Sequence, residues 1–156
     1  MTSWTPSSPP PSGRPWEGDR TGGGSLKLLL DTHIWIWSLI EPVQLTAGVR
    51  AALESDDNEL WLSPISTWET LMLVERGRIA TEEDPQDLVS RMLKEGPFRE
   101  ASLTHAVAQQ SRRLSLEHSD PADRFVAATA VVYDLTLVTA DARLLRGKGY
   151  RTLPNR

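Results

Sequence analysis

Short apolar runs alternate with helical patterns along the chain from Leu26 onward, and this alternation limits the fold more than any other feature. Strand-like runs lie at residues 26–30, 59–63 and 135–139, and the segments between them carry helical spacing of apolar residues. Strands separated by helical segments form βαβ units, in which parallel strands make one sheet with helices on both faces. The sequence therefore predicts an α/β fold with a mainly parallel central sheet.

Capping residues predict where several helices begin. A side chain suited to the N-cap position precedes each of five helical stretches, and proline follows it directly in three of them: Thr46, Ser63-Pro64, Asp84-Pro85, Thr104 and Asp120-Pro121. In the helix that begins at Pro64, the spacing predicts Trp68 and Met72 on the core side and Glu69 towards the strand ends. Weaker strands are expected at residues 98–103 and 150–153.

The first 25 residues differ in composition from the rest of the chain. They are rich in proline, serine and glycine and almost lack aliphatic side chains, which predicts a disordered tail at 1–25 ahead of one folded domain at 26–156. A translation start assigned too far upstream would explain the tail equally well. The chain has no cysteine, which excludes disulfides and thiolate metal sites. With neither a membrane-length apolar run nor a signal peptide, a cytoplasmic protein without membrane contact is expected.

The charge distribution bears on whether the partner is a nucleic acid. The formal net charge is −4, which by itself argues against such a partner. Residues 143–156, however, contain five basic side chains and no acid. A local basic surface on an acidic protein can bind phosphates, although an ordinary solvated C-terminus is the alternative interpretation.

Acidic residues follow two of the apolar strands. Asp31 ends the first strand and Asp141 lies just beyond the strand at 135–139, and the carboxyl ends of parallel strands share one edge of a sheet. Asp120 suits a helix N-cap and Asp123 the first helical turn. Each acid alone also has a purely structural explanation, including a capping role for Glu69 in Ser66-Thr67-Trp68-Glu69.

Four motifs, taken together and in order, resemble the PIN-domain ribonuclease toxins of the VapC type. The resemblance covers about residues 26–156, and its motifs are Leu-Leu-Leu-Asp-Thr-His-Ile-Trp (28–35), Ser-Pro-Ile-Ser-Thr-Trp-Glu (63–69), His-Ser-Asp-Pro-Ala-Asp-Arg (118–124) and Leu-Val-Thr-Ala-Asp (137–141), with Val-Glu-Arg-Gly-Arg-Ile (74–79) after the second. The N-terminal tail and the ending Thr-Leu-Pro-Asn-Arg depart from the family pattern.

The resemblance implies a three-layer α/β/α sandwich and a set of acidic site residues: Asp31, Glu69, Asp123 and Asp141. Mg²⁺ or Mn²⁺ is the expected cofactor, with Asp31, Asp123 and Asp141 as the ligands. The expected accessory residues are Ser66, Asp120, Thr139 and Arg124. The family also implies an RNA substrate, a homodimer and a small antitoxin that blocks the site. The chemistry agrees, because phosphodiester hydrolysis needs an activated water and a counter-charge, and a cation held by oxygen ligands supplies both.

Two other functions are compatible with parts of this sequence. A phosphoaspartyl hydrolase also begins with an apolar strand ending in aspartate, but it needs a second aspartate where this chain has His33, and no convincing catalytic lysine follows. A non-catalytic PIN module that binds an antitoxin or RNA is the other alternative. Several aromatic side chains are expected to pack or to contact other residues rather than bind metal or bases: His33, His118, Trp35, Trp37 and Trp61.

Overall fold

The computed structural model describes residues 24–117 and 120–156, and a five-stranded sheet forms its centre. The strand order is β3-β2-β1-β4-β5 and every neighbouring pair is parallel. The strands are β1 (Lys27–Leu30), β2 (Glu59–Leu62), β3 (Phe98–Glu100), β4 (Thr136–Thr139) and β5 (Arg151–Pro154). Since β1 and β4 are neighbours near the middle of the sheet, their carboxyl ends open at the same place.

Helices connect the strands and cover both faces of the sheet. They are α1 (Thr32–Ile40), α2 (Ala47–Glu54), α3 (Pro64–Glu75), α4 (Pro85–Lys94), α5 (His105–Arg113), α6 (Pro121–Val132) and α7 (Ala142–Arg146), with a short 3₁₀ helix at Pro42–Gln44. None of the helices within the described ranges has the length and apolar character needed to cross a bilayer.

The alternation of side chains along β1 separates two apolar cores. Leu28 and Leu30 face a core that includes Ile34 and Trp35 from α1 and Met92 from α4. Leu29, on the opposite face, belongs to a second core with side chains from α5, α6 and β4. All three leucines are fully buried, as expected for a central strand between two helical layers. The three-layer α/β/α architecture is therefore confirmed.

The predicted helix starts are also confirmed. Thr46, Ser63, Asp84, Thr104 and Asp120 are all N-caps whose side chains accept a hydrogen bond from the first turn. The weak strand expected at 98–103 is shorter, because it ends at Glu100. The sequence pattern does not predict α1 or α7. The helical period of α1 is hidden because the helix is almost uniformly apolar, and α7 has only five residues.

One orientation predicted for α3 is wrong. Trp68 is 55% exposed, whereas Ser66 and Thr70 on the same helix are fully buried. The inward side of α3 carries small hydroxyl residues because it packs close to α1 and α6. The predicted tail at 1–25 falls almost entirely outside the described residues, as does His118.

Candidate active site

The acidic residues of the candidate site reach one end of the sheet by different routes. Asp31 follows β1 and is the N-cap of α1, and Asp141 follows β4 and is the N-cap of α7. Glu69 lies in α3, which follows β2, and Asp123 lies in the first turn of α6. Asp31, Asp123 and Asp141 thus lie at the positive N-terminal ends of helices, where a carboxylate is stabilised. The fold brings the acids predicted from the sequence to the carboxyl edge of the sheet.

Thr139 connects the two aspartates that follow strands. Its hydroxyl donates to Asp31 Oδ2 at 2.7 Å and accepts from the backbone N–H of Asp141 at 3.0 Å. Thr139 is fully buried, and Asp31 is 8% exposed. The orientation of Asp31 is therefore fixed by Thr139, a buried side chain from the neighbouring strand.

Thr32 performs a similar connection between Asp31 and Glu69. The backbone N–H of Thr32 donates to Asp31 Oδ1 at 2.9 Å, and its Oγ1 lies 2.7 Å from Glu69 Oε1. Ser66 Oγ lies 3.0 Å from the same Thr32 oxygen. The sequence reasoning placed Ser66 near the site but missed Thr32. The signal that was available is its place directly after Asp31, in the first turn of a helix facing α3.

Burial and mutual repulsion raise the pKa of three acids. Burial is the main cause for Asp31 and for Glu69, and it outweighs the hydrogen bonds from Thr139 and Thr32. The pKa of Asp123 rises to about 7, first through burial and then through the negative charges of Asp120, Asp31, Asp141 and Glu69. The carboxylates therefore raise one another's pKa through repulsion.

Asp141 behaves in the opposite way. Burial opposes its ionisation, but hydrogen bonds from the backbone N–H and the guanidinium of Arg143 outweigh it and lower the pKa. The N–H lies 2.8 Å from Asp141 Oδ1 and the guanidinium 3.4 Å from Oδ2. Asp141 is therefore the acid that stays ionised most readily.

The remaining accessory residues have different positions. Asp120 Oδ1 accepts from the N–H of Ala122 at 2.9 Å and caps α6. The Arg124 guanidinium donates to the carbonyls of Ser111 and Leu114, both at 3.2 Å, so it ties α6 to the end of α5. Tyr150, which sequence reasoning missed, lies beside the acids: burial and the charges of Asp123, Asp141 and Asp31 raise its pKa.

Three arginines of the basic C-terminal stretch have acidic partners. Arg143 pairs with Asp141, Arg146 with Glu117 and Arg151 with Asp134. All three guanidinium groups are substantially exposed, so these pairs are weak and can be exchanged for other anions.

The acids are ligands suited to a hard cation. The donor set consists of carboxylate and hydroxyl oxygens, which Mg²⁺ and Mn²⁺ prefer over nitrogen or sulfur. In the described part of the chain, no three acidic or histidine side chains are close enough to form a ready-made cage. Carboxylates repel one another when no counter-charge lies between them, and Mg²⁺ commonly binds through only one or two carboxylates plus waters. The residues therefore fit such an ion.

Comparison with known proteins identifies the family. The PIN domain matches residues 28–149, which is most of the chain. The chain belongs to the PIN domain family. It is also 34% identical over 118 residues to Ribonuclease VapC22 of Mycobacterium tuberculosis, a match that covers 75% of this chain and 88% of that protein. The predicted resemblance to VapC-type proteins is thereby confirmed.

Solved structures share the fold of this PIN domain. VapBC2 from Rickettsia felis bound to a DNA fragment from its promoter gives a TM-score of 0.64 at 16% identity, covering 83% of this chain and 98% of that one. DNA-bound VapBC from Salmonella typhimurium gives 0.60 at 17% identity, with 84% and 99% covered. FitAcB from Neisseria gonorrhoeae gives 0.56 at 19% identity, with 82% and 97% covered.

Proposed function

We propose that this PIN domain is a metal-dependent endoribonuclease that hydrolyses RNA phosphodiester bonds. The observation that supports it most is the convergence of Asp31, Glu69, Asp123 and Asp141 at one end of the sheet, where burial raises the pKa of three of them. If these acids had only a structural role, we would expect fewer buried carboxylates, or carboxylates paired with basic side chains. The identity with a ribonuclease supports the same activity.

Each acid has a part in the proposed reaction. Mg²⁺ or Mn²⁺, when bound, supplies counter-charge to phosphate oxygens and makes water a better nucleophile. Asp31, Asp123 and Asp141 would hold the ion, and Glu69 would complete the negative charge and orient water. Thr139 keeps Asp31 turned towards Asp141 through the bonds described above. Arg143, half exposed beside Asp141, can exchange that partner for an RNA phosphate.

We further propose that the chain is the toxin of a toxin–antitoxin pair acting in the cytoplasm. The fold neighbours VapBC2 and VapBC were solved bound to DNA, which supports a small DNA-binding antitoxin as the partner. Two apolar side chains are exposed on neighbouring helices, Trp68 on α3 and Leu93 on α4. They support protein contacts through α3 and α4, including those of a homodimer. Light scattering of the purified chain measures that dimer directly.

The activity is tested by inducing the wild type beside Asp31→Asn and mapping the ends of cellular RNA. Asparagine is also a good N-cap, so the fold should persist while cleavage falls at least about 100-fold, or about 2.7 kcal/mol. EDTA should have the same effect on the purified wild type. Asp57→Asn is the matched control, because Asp57 is an exposed carboxylate in the turn before β2, at the opposite edge of the sheet.

Two results would contradict this function. Cleavage that survives both Asp31→Asn and EDTA would remove the metal mechanism. A wild type that binds RNA or a partner protein without cutting RNA would instead favour the non-catalytic module.

A further inference from the structure

Thr32 is a buried residue that contacts both Asp31 and Glu69. It is 1% exposed, and it lies between the end of β1 and helix α3. Its backbone N–H donates to Asp31 Oδ1, and its hydroxyl lies within hydrogen-bond distance of Glu69 and Ser66.

The number of protons in this group determines the direction of its hydrogen bonds. An ionised carboxylate only accepts, so the single hydroxyl proton of Thr32 goes to Glu69 Oε1, over the shorter distance of 2.7 Å. Thr32 Oγ1 then accepts from the hydroxyl of Ser66, 3.0 Å away. With Glu69 ionised, each hydrogen bond in the chain from Ser66 through Thr32 to Glu69 has one donor and one acceptor, and hydrogen bonds to a charged acceptor are the stronger kind.

Glu69 depends on Thr32 more than Asp31 does. Asp31 also accepts from Thr139, whereas Glu69 accepts no other hydrogen bond among the described residues. The charges of Asp31 and Asp120 act against an ionised Glu69, and a glutamate has several rotatable bonds through which it can turn away. Without the Thr32 hydroxyl, repulsion would therefore favour orientations of Glu69 that point away from the site.

We propose that Thr32 is a positioning residue: its hydroxyl holds the Glu69 carboxylate beside Asp31 so that both face the same divalent cation. This inference rests on the function proposed above. Thr32 itself contacts neither the ion nor the RNA. Groups that orient acidic ligands in this way commonly contribute a factor of 10 to 100 in metal affinity or activity.

The test compares Thr32→Val, which keeps the shape and removes the hydroxyl, with Thr32→Ser, which keeps the hydroxyl. Thr70→Val is the matched control. Thr70 is equally buried on α3, and its hydroxyl donates to the Ser66 carbonyl at 2.8 Å, so the same group is removed with no carboxylate partner. Two quantities are measured: the Mg²⁺ concentration that gives half of the maximal rise in Tm, and the kcat and KM for RNA cleavage.

For Thr32→Val we expect the half-saturating Mg²⁺ concentration to rise about tenfold and kcat to fall about tenfold, with KM nearly unchanged. Thr32→Ser and Thr70→Val should stay within about threefold of wild type in both quantities. If Thr32→Val melts below the assay temperature, Thr32→Ala is used in its place. Alanine also removes the hydroxyl, but it places no methyl group against Glu69.

Three outcomes would overturn the proposal. Unchanged Mg²⁺ binding in Thr32→Val would show that the hydroxyl does not orient an ion ligand. Equal losses in Thr32→Val and Thr32→Ser would show that keeping the hydroxyl does not preserve function, and would assign the effect to side-chain packing at position 32. Equal losses in Thr32→Val and Thr70→Val would assign it to packing of α3. The Tm measurement needs no RNA, so a wild type that binds Mg²⁺ without cleaving RNA would refute the ribonuclease function and still decide the role of Thr32.

Discussion

The acid cluster has a buried side and an exposed side, and they differ in how readily they ionise. On the buried side, Asp123 is 8% exposed and its pKa rises to about 7. On the exposed side, the Asp141 side chain is 28% exposed, and the adjacent Arg143 and the start of α7 lower its pKa. The two acids have the same chemical group and the same helix-terminal setting, so burial and the neighbouring charge make the difference.

This difference indicates how the site would take up a cation. Asp141 is charged already and partly open to solvent, which suits the first contact with a hydrated ion. Burial raises the pKa of Asp123, Asp31 and Glu69, and a cation bound at the proposed site would favour their ionised forms because it compensates the charge that burial disfavours.

The largest expected effect is stabilisation by the cation itself. A ligand that binds only the folded state at 100 times its Kd adds about 2.7 kcal/mol, which corresponds to a rise in Tm of about 5–10 °C for a chain of this size. Asp31→Asn should lose most of that rise. Melting curves in EDTA and in Mg²⁺ measure it, and equal rises for wild type and Asp31→Asn would show that Asp31 does not hold the ion.

A smaller effect is expected from Asp123→Asn without metal. The folded pKa of Asp123, about 7, exceeds its ordinary value of 3.8, so between these pH values the folded state binds more protons than the unfolded state. Its contribution to stability is complete below about pH 4 and is lost as the pH rises towards 7.

Asp123→Asn removes this loss. In EDTA we therefore expect its Tm, relative to wild type, to be higher at pH 7.5 than at pH 4.5 by about 2–5 °C, because solvent screening reduces the full shift. A relative Tm that does not change with pH would mean that Asp123 ionises as an ordinary aspartate.

The smallest effect is expected on the exposed side, from Arg143→Gln. Because the pKa of Asp141 is lower in the folded state, its ionisation stabilises the fold at pH values above the ordinary aspartate pKa. This contribution to stability is lost as the pH falls through the pKa of the folded state. Because Arg143 is half exposed, removing it should lower the Tm at pH 7 by no more than about 2 °C. Arg146→Gln, in the same helix and paired with Glu117, is the control. A fall in Tm larger than the change of about 2–5 °C expected for Asp123→Asn would contradict the comparison.

The sequence alone was sufficient for the fold class, and it is the source of the acids proposed for the site. Buried strands of only aliphatic residues, such as Leu28–Leu30, and N-caps followed by proline are local signals, and local signals can be read without knowing the neighbours in space. The same is true of the motifs that contain Asp31, Glu69, Asp123 and Asp141, because their order and spacing are properties of the chain.

The tertiary structure decided which groups touch. Thr32, Tyr150 and the inward side of α3 were missed, because a hydroxyl or a ring beside an acid is recognised only when another element is packed against it. Trp68 was placed in the core because apolar spacing predicts a buried side but does not say whether small residues are needed there. The pKa difference between Asp123 and Asp141 has the same origin: burial and neighbouring charge depend on distances across the fold, and these distances are set by packing rather than by the sequence around each aspartate.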